Sequence, residues 1–439
     1  MLQKETNKKK IAFHTLGCKL NFAETSAISR SFPPEKFERV SVNSKADIYI
    51  INTCSVTETA DRKCRQAIKK FIHRSPDAFI AVVGCYAQLR PDEISSIPGV
   101  DLVLGTNEKF DIAGYISDPR KKRTPEVHSC DLSESGGFNS SSSVSDRTRS
   151  FLKIQDGCDY GCSYCTIPKA RGNSRNPAIT EILKEAAELA EKGVKEIVLT
   201  GVNIGDFGKT TGDSFEKLLI ELINVHGIER FRISSIEPNL LTDRIIDFAA
   251  ASTKILPHFH IPLQSGSNKI LGLMRRRYKR EVFADRVHKI KEKLPLAGIG
   301  ADVIVGFPGE TDRDFEDTLS FLSMLPLTYL HVFSFSERPG TIAADLDGKV
   351  KSGDKAFRSR QLITLSEQKH SEFCNQNKGL IHEILFEKNK VDGFITGFTG
   401  NYIKVEYPWN SKLGGEIIKA RLLETTIEGR MKVELIDSI

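Results

Sequence analysis

The sequence predicts an α/β protein in three parts: an amino-terminal parallel sheet with helices, a partial (β/α)6 barrel, and a small carboxyl-terminal antiparallel β-barrel. Three observations predict it. Short apolar runs alternate with helical patterns through the first two parts, as parallel strands joined by helices do. A stretch poor in large apolar residues, 133–150, separates those two parts. From residue 374 on, the helical pattern gives way to short β-rich runs punctuated by glycine.

Within the first part, 9–123, strands are expected at 11–15, 48–52 and 79–83. The stretch that follows holds Gly136, Gly137 and serines at 140–143, and it reads as a flexible linker or mobile loop. The second part, 144–371, offers six strand candidates, at 151–155, 196–200, 231–235, 258–263, 299–305 and 329–335. A helix over 180–192 places Ile182, Leu183, Ala186, Leu189 and Ala190 on one face, with Thr180 to cap it and Gly193 to end it. A second, over 311–325, begins with Thr311 and Asp314 in capping-box spacing. Six βα units instead of eight leave a barrel open, with its ligand site at the carboxyl ends of the strands. The last part, 374–439, has strand candidates at 381–386, 394–399, 402–407 and 431–436. Small barrels of this OB-like kind often contact nucleic acid.

Composition narrows the function classes. The 439 residues are 39% hydrophobic and 27% charged, the mix of a soluble globular protein of about three domains. Lys and Arg total 63 against 57 Asp and Glu, and a net charge of +6 permits an anionic partner without demanding one. No apolar run approaches the roughly 18 residues of a membrane span, and the polar, lysine-rich start has no apolar h-region. Neither export nor membrane residence is expected; the location expected is cytoplasmic. Nine cysteines, an odd number, fit a disulfide framework poorly. In a reducing compartment, clustered cysteines bind metal or do chemistry.

The strongest pattern is Gly157-Cys158-Asp159-Tyr160-Gly161-Cys162-Ser163-Tyr164-Cys165, three thiols just past the first barrel strand. Closed zinc sites want four protein ligands, and simple ferredoxins use four cysteines per cluster. A local count of three leaves one iron of a cluster open; the alternative is zinc completed by a distant His or Cys. A second set is dispersed. Cys18, Cys54 and Cys85 each lie one to three residues past a predicted strand, so a parallel sheet would bring them to one edge. Cys64, Cys130 and Cys374 have no partner at ligand spacing and read as structural.

The Cys158–Cys165 run resembles the cluster motif of radical S-adenosylmethionine (SAM) enzymes, Tyr164 included. With the three amino-terminal cysteines and the small carboxyl-terminal β domain, the whole chain resembles the radical SAM methylthiotransferases. Matching segments include Thr15-Leu16-Gly17-Cys18-Lys19-Leu20-Asn21, Asn52-Thr53-Cys54-Ser55-Val56-Thr57, Ile167-Pro168-Lys169-Ala170-Arg171-Gly172 and Pro262-Leu263-Gln264-Ser265-Gly266-Ser267. Lys19 and Ala170-Arg171-Gly172 look most like the branch acting on threonylcarbamoyladenosine in tRNA. The resemblance implies a methylthiotransferase domain, a radical SAM core and a TRAM domain in the three parts. It implies two [4Fe–4S] clusters, on Cys18, Cys54 and Cys85 and on Cys158, Cys162 and Cys165. One would cleave SAM to a 5′-deoxyadenosyl radical and the other hold the sulfur, so that a methylthio group replaces hydrogen at carbon 2 of adenosine 37. Implied partners are tRNA, a reducing electron carrier and a sulfur donor, for a monomer away from membranes.

Glu237 and Gln264 follow the third and fourth barrel strands and, with Tyr164, are candidates for contact with the cofactor. Arg275, Arg276, Arg277, Lys279 and Arg280 form the densest basic run, with a second at 120–123. Such runs are usually solvated faces, and in a tRNA enzyme they become candidate phosphate contacts. Three other readings stay open: the same chemistry on isopentenyladenosine 37, the same chemistry on an aspartate of a ribosomal protein, and a zinc-stabilised RNA-binding protein without catalysis.

Overall fold

Residues 48–53 and 79–84 are mostly apolar or β-branched, and all of them are buried. Strands covered on both faces belong inside a parallel sheet flanked by helices. A computed structural model, which describes residues 8–116, 119–132, 137–144 and 147–436, has them there. Strands β1 (Lys9–Thr15), β2 (Phe37–Arg39), β3 (Ile48–Thr53), β4 (Phe79–Gly84), β5 (Leu102–Leu104) and β6 (Glu126–His128) form one sheet in the order β2-β1-β3-β4-β5-β6. Every pair in it is parallel. Helices α1 (Lys19–Arg30), α2 (Glu58–Arg74), α3 (Cys85–Leu89), α4 (Pro91–Ser95) and α5 (Ile112–Tyr115) accompany it.

The barrel strands are β7 (Ser150–Lys153), β8 (Glu196–Thr200), β9 (Arg230–Ile233), β10 (His258–Gln264), β11 (Gly298–Val305) and β12 (Tyr329–Ser334). They make two parallel three-stranded sheets, β7-β8-β9 and β10-β11-β12. Single bridges between Phe231 and Ile255 and between Ser235 and His260 carry one into the next. Around them lie α6 (Ile167–Arg171), α7 (Ile179–Glu191), α8 (Phe215–Leu222), α9 (Asp243–Ala251), α10 (Asn268–Leu273), α11 (Arg280–Lys293), α12 (Asp312–Met324) and α13 (Ser352–Asn377). The Thr311–Asp314 capping box is present at the start of α12. Helix α7, by contrast, starts one residue before Thr180, and its N-cap, Ala178, has no side chain to cap with.

Alternation along these strands is decisive for the site. Leu152, Ile197, Leu199, Phe231, Ile233, Phe259, Ile261, Ile299, Ala301, Val303 and Leu330 all belong to the core beneath the helices. Their neighbours must therefore face the lumen, and these are largely polar: Lys153, Glu196, Thr200, Arg232, His258, His260, Asp302, Tyr329 and His331. Helix α1 covers the inner face of β7 and β8, its Ala23 and Phe22 packing on Phe151 and Val198.

The carboxyl-terminal part is a closed barrel of β13 (Ile381–Val391), β14 (Phe394–Thr399), β15 (Lys404–Pro408), β16 (Ile417–Thr425) and β17 (Met431–Leu435). Its pairings are antiparallel except β15 with β17, which closes it in parallel. Two expectations need correction. The described part of the linker is not loose: Ser141, Ser142 and Ser143 are buried, Ser142 bridges to Leu152, and Ser143 hydrogen-bonds Phe151 through backbone and side chain. Small hydroxyl side chains satisfied their own polar groups, which a reading for apolar residues misses. The boundary expected at 374 lies inside α13, which runs on to Asn377.

Arg358 of α13 reaches Glu310 at 2.6 Å, and both are almost fully buried. Glu310 also accepts from the Gly306 amide at 2.6 Å, which closes the Gly306–Glu310 turn on itself. Arg358→Met strands that carboxylate without its partner and should cost about 3–5 kcal/mol, the usual result of halving a buried pair; urea unfolding of the two proteins measures it.

Candidate active site

Cys18, Cys54 and Cys85 follow β1, β3 and β4, three adjacent strands of one parallel sheet, so they share its carboxyl edge. Cys18 is the N-cap of α1, Cys54 is buried one residue past β3, and Cys85 opens α3. Gly17 makes the approach possible: its φ is +110°, and a Cβ there would lie 2.6 Å from the Cys54 Cβ. Burial first, then the neighbouring Cys85 and Cys18 thiols, push the Cys54 thiol up to about 12. Burial raises Cys85 too, while Arg171 and Lys109 pull against it. Cys64 packs behind, its thiol 3.4 Å from the Cys54 carbonyl oxygen.

The second trio sits on the loop between β7 and α6. Gly157 opens it with a φ of +70°, where a Cβ would fall 1.9 Å from the Asn173 carbonyl oxygen. The loop is pinned at its middle, with Ser163 donating to Met274 from its amide and to Leu273 from its hydroxyl. Donors already point at the sulfurs: the Tyr160 amide at Cys158 (3.4 Å), the Ile167 amide at Cys165 (3.4 Å) and the Arg276 guanidinium at Cys162 (3.2 Å). Burial pushes Cys158 up to about 11 and Cys165 up to about 12.

Between the trios lies a buried ion network. Arg171 of α6 donates to Glu24 of α1 at 2.9 and 3.0 Å, to Asp156 at 3.0 Å and to the Asn21 side-chain oxygen at 2.7 Å. Lys109 and Lys153 also reach Glu24, at 2.6 and 3.2 Å, and Lys153 reaches Asp156 at 2.8 Å. Asn21 in turn donates to Leu16 and Thr53, the residues leading into Cys18 and Cys54. The two cysteine-bearing loops are thus built on the same set of charges. Burial alone would raise the Glu24 carboxyl, yet Arg171, Lys109 and Lys153 hold it well below the usual range.

Three candidate contact residues stand at the rim and wall of the lumen. Glu237 pairs with Arg276, which also donates toward the Tyr164 hydroxyl at 3.5 Å. Burial raises the Glu237 carboxyl against the pull of that guanidinium. Gln264 ends β10 with a φ of +70°, a left-handed conformation that costs a non-glycine residue energy and recurs at functional sites. Tyr164 packs edge-on to Phe307. Deeper in the lumen, Asp302 accepts from His260 at 2.9 Å and from His331 at 3.3 Å.

A model of the radical SAM superfamily matches residues 152–322, and one of the uncharacterized protein family UPF0004 matches 10–105. The chain is 43% identical to the threonylcarbamoyladenosine tRNA methylthiotransferase MtaB of Bacillus subtilis, over 94% of each chain. It is 38% identical to the MtaB of Aquifex aeolicus, over 92% of this chain and 98% of that one. A second Aquifex protein, a tRNA-2-methylthio-N(6)-dimethylallyladenosine synthase, is 32% identical over 96% and 98%. The chain belongs to the radical SAM methylthiotransferases. Its fold is also that of the radical SAM methyltransferase TsrM of Kitasatospora setae, with a TM-score of 0.55 at 14% identity over 88% of this chain and 81% of that one.

For a methylthiotransferase the donor sets make chemical sense. SAM and [4Fe–4S] clusters are the family's cofactors, and a bound cation favours the thiolate form of cysteine ligands. Zinc at about 2.3 Å from each sulfur would keep any two within about 4.6 Å. Neither trio has its three sulfurs within 4.8 Å of one another; among the described residues only His260, Asp302 and His331 form so tight a set. That spacing is wider than a zinc ion bound directly by all three sulfurs would leave.

One member of the basic runs needs correction. Arg276 is neither solvated nor on an RNA-facing surface: its side chain is 4% exposed and holds Cys162 and Glu237. Arg277 lies over the Tyr160 ring at 4.0 Å and donates to the Asp159 carbonyl. In the 120–123 run, Lys121 is tied to Asp101 at 2.9 Å. Sequence reading missed Glu24, Lys109, Lys153 and Asp156. Glu24 left one trace, a carboxylate three residues after Asn21 on the buried face of α1.

Arg171→Met should cost about 3–5 kcal/mol, because Glu24 and Asp156 stay buried and lose a cation. Denaturant unfolding of the metal-free chain measures it.

Proposed function

We propose that this chain installs a 2-methylthio group on N6-threonylcarbamoyladenosine at position 37 of tRNA. The observation that carries the reading is a pair of cysteine trios linked through one buried ion network, in a chain 43% identical over 94% of its length to a threonylcarbamoyladenosine tRNA methylthiotransferase. Cys18, Cys54 and Cys85 are taken as ligands of one cluster, and Cys158, Cys162 and Cys165 as ligands of the other. Tyr164, Glu237 and Gln264 are taken as SAM contacts. The three working units are a methylthiotransferase domain over 9–123, a radical SAM core over 144–371 and a TRAM domain from 374, joined to the core through α13.

Carbon 2 of adenine carries hydrogen on a bond that is neither acidic nor polarised, so acid–base side chains have little to act on. When bound, the clusters and SAM supply the electron, radical and sulfur chemistry, and the protein supplies binding, orientation and exclusion of side reactions. Arg276 and the Tyr160 and Ile167 amides offset negative charge on the Cys162, Cys158 and Cys165 sulfurs. Asn21 fixes the Cys18 loop against Arg171. Helix α1 covers the inner faces of β7 and β8 through Ala23 and Phe22.

Besides tRNA, the partners are a reducing electron carrier and a sulfur donor. The chain is taken as a cytoplasmic monomer; among the described residues no helix is long and apolar enough to cross a membrane. Anaerobically reconstituted protein should hold about eight irons, and Cys18→Ala or Cys158→Ala should each remove about four. Nucleoside analysis of tRNA from a strain lacking the gene should show loss of the methylthio form of threonylcarbamoyladenosine. Loss of the isopentenyl derivative instead overturns the reading.

A further inference from the structure

Beside Cys18 the structure holds a cavity of about 300 Å³ where the amino-terminal sheet, the barrel lumen and the carboxyl-terminal barrel meet. That volume lies at the lower end of the range small-ligand pockets occupy, roughly 300–1,000 Å³. Four cations line it, Lys19, Arg147, Arg149 and Arg232, and no carboxylate does. Their partners divide them. Arg232 is neutralised by Glu196 at 2.9 Å, and Arg149 faces Glu387 at 3.7 Å. Among the described residues, Lys19 and Arg147 have no carboxylate partner. Arg147 is instead laid over the Phe22 ring at 4.4 Å, and its guanidinium edge is left free for a ligand. Tyr402, inserted from the loop between β14 and β15, completes the wall and stacks on His258 at 4.3 Å.

We infer that this recess binds the threonine carboxylate of the modified base and so selects threonylcarbamoyladenosine over a base with an apolar N6 substituent. The inference rests on the proposed function and adds its specificity element. A recess with two cations that lack a carboxylate in salt-bridge contact suits an anion, whereas an isopentenyl group would pair with neither. The position fits the chemistry as well. The N6 substituent is carried by carbon 6 of the six-membered ring that contains carbon 2, so a substituent held beside Cys18 keeps carbon 2 within one base's reach of the amino-terminal trio. A tRNA phosphate is the other anion that could enter, and the experiment separates the two.

The test uses the full chain, reconstituted anaerobically, and three anticodon stem-loops with threonylcarbamoyladenosine, its threonine carboxamide or plain adenosine at position 37. Binding is read by fluorescence anisotropy, and iron content is measured for every variant. The wild-type chain should bind the acid roughly tenfold or more tightly than the carboxamide. Arg147→Gln and Lys19→Met should each shrink that ratio toward one and leave carboxamide binding unchanged. Equal wild-type affinity for acid and carboxamide overturns the inference, and needs no variant to do so. Equal weakening of all three RNAs by the variants overturns it too, since the cations would then serve phosphates. A wild-type chain that methylthiolates the base yet does not distinguish acid from amide sinks the recess and leaves the function standing. One that leaves threonylcarbamoyladenosine unconverted sinks the functional reading itself.

Discussion

Arg171 and the carboxylates of Glu24 and Asp156 are the interaction on which the rest of the structure depends. Taking an ion out of water costs several kcal/mol, and a buried network is retained only if each member is satisfied. Here Lys109, Lys153, Arg171 and Arg175 face Glu24 and Asp156, which leaves two cations in excess. The excess lies where Cys85 feels it. An iron–sulfur cluster held by three thiolates is anionic, so the network is both the bolt between two folding units and a source of compensating charge. Hydrophobic packing could supply the first role but not the second.

The same logic explains which parts of the molecule were legible from sequence. Long, strongly apolar strands such as β3, β4 and β11 announce themselves, and the six barrel strands lie within a few residues of where periodicity puts them. Strands β2, β5 and β6 have three residues each, too few for any period. Ser141, Ser142 and Ser143 look like linker by composition, yet they are buried because their backbone pairs with β7. Cysteine spacing located both trios, since chemistry that needs three thiols leaves a countable trace. Charges that serve each other across 85 to 147 residues of chain, as Lys109 and Arg171 serve Glu24, leave none.

Arg276 is the instructive case. Its neighbours in sequence made it look like part of a cationic surface, whereas the turn after α10 separates the run residue by residue. Arg275 takes a left-handed φ of +56°, and the next side chain swings inward to Cys162. Linear charge density says nothing about where successive side chains go once the backbone leaves regular structure.

Helix α1 is usually the sort of element one would assign wholly to the sheet it follows. By packing on the inner face of β7 and β8 it becomes part of the neighbouring barrel's interior. A protein trimmed to its middle third would uncover Lys153, Asp156 and Arg171 together with an apolar strip at Phe151 and Val198. Such a fragment would be sticky and charge-frustrated, so the enzyme cannot be dissected at its linker. Changes in α1 and in β7 therefore bear on one shared contact.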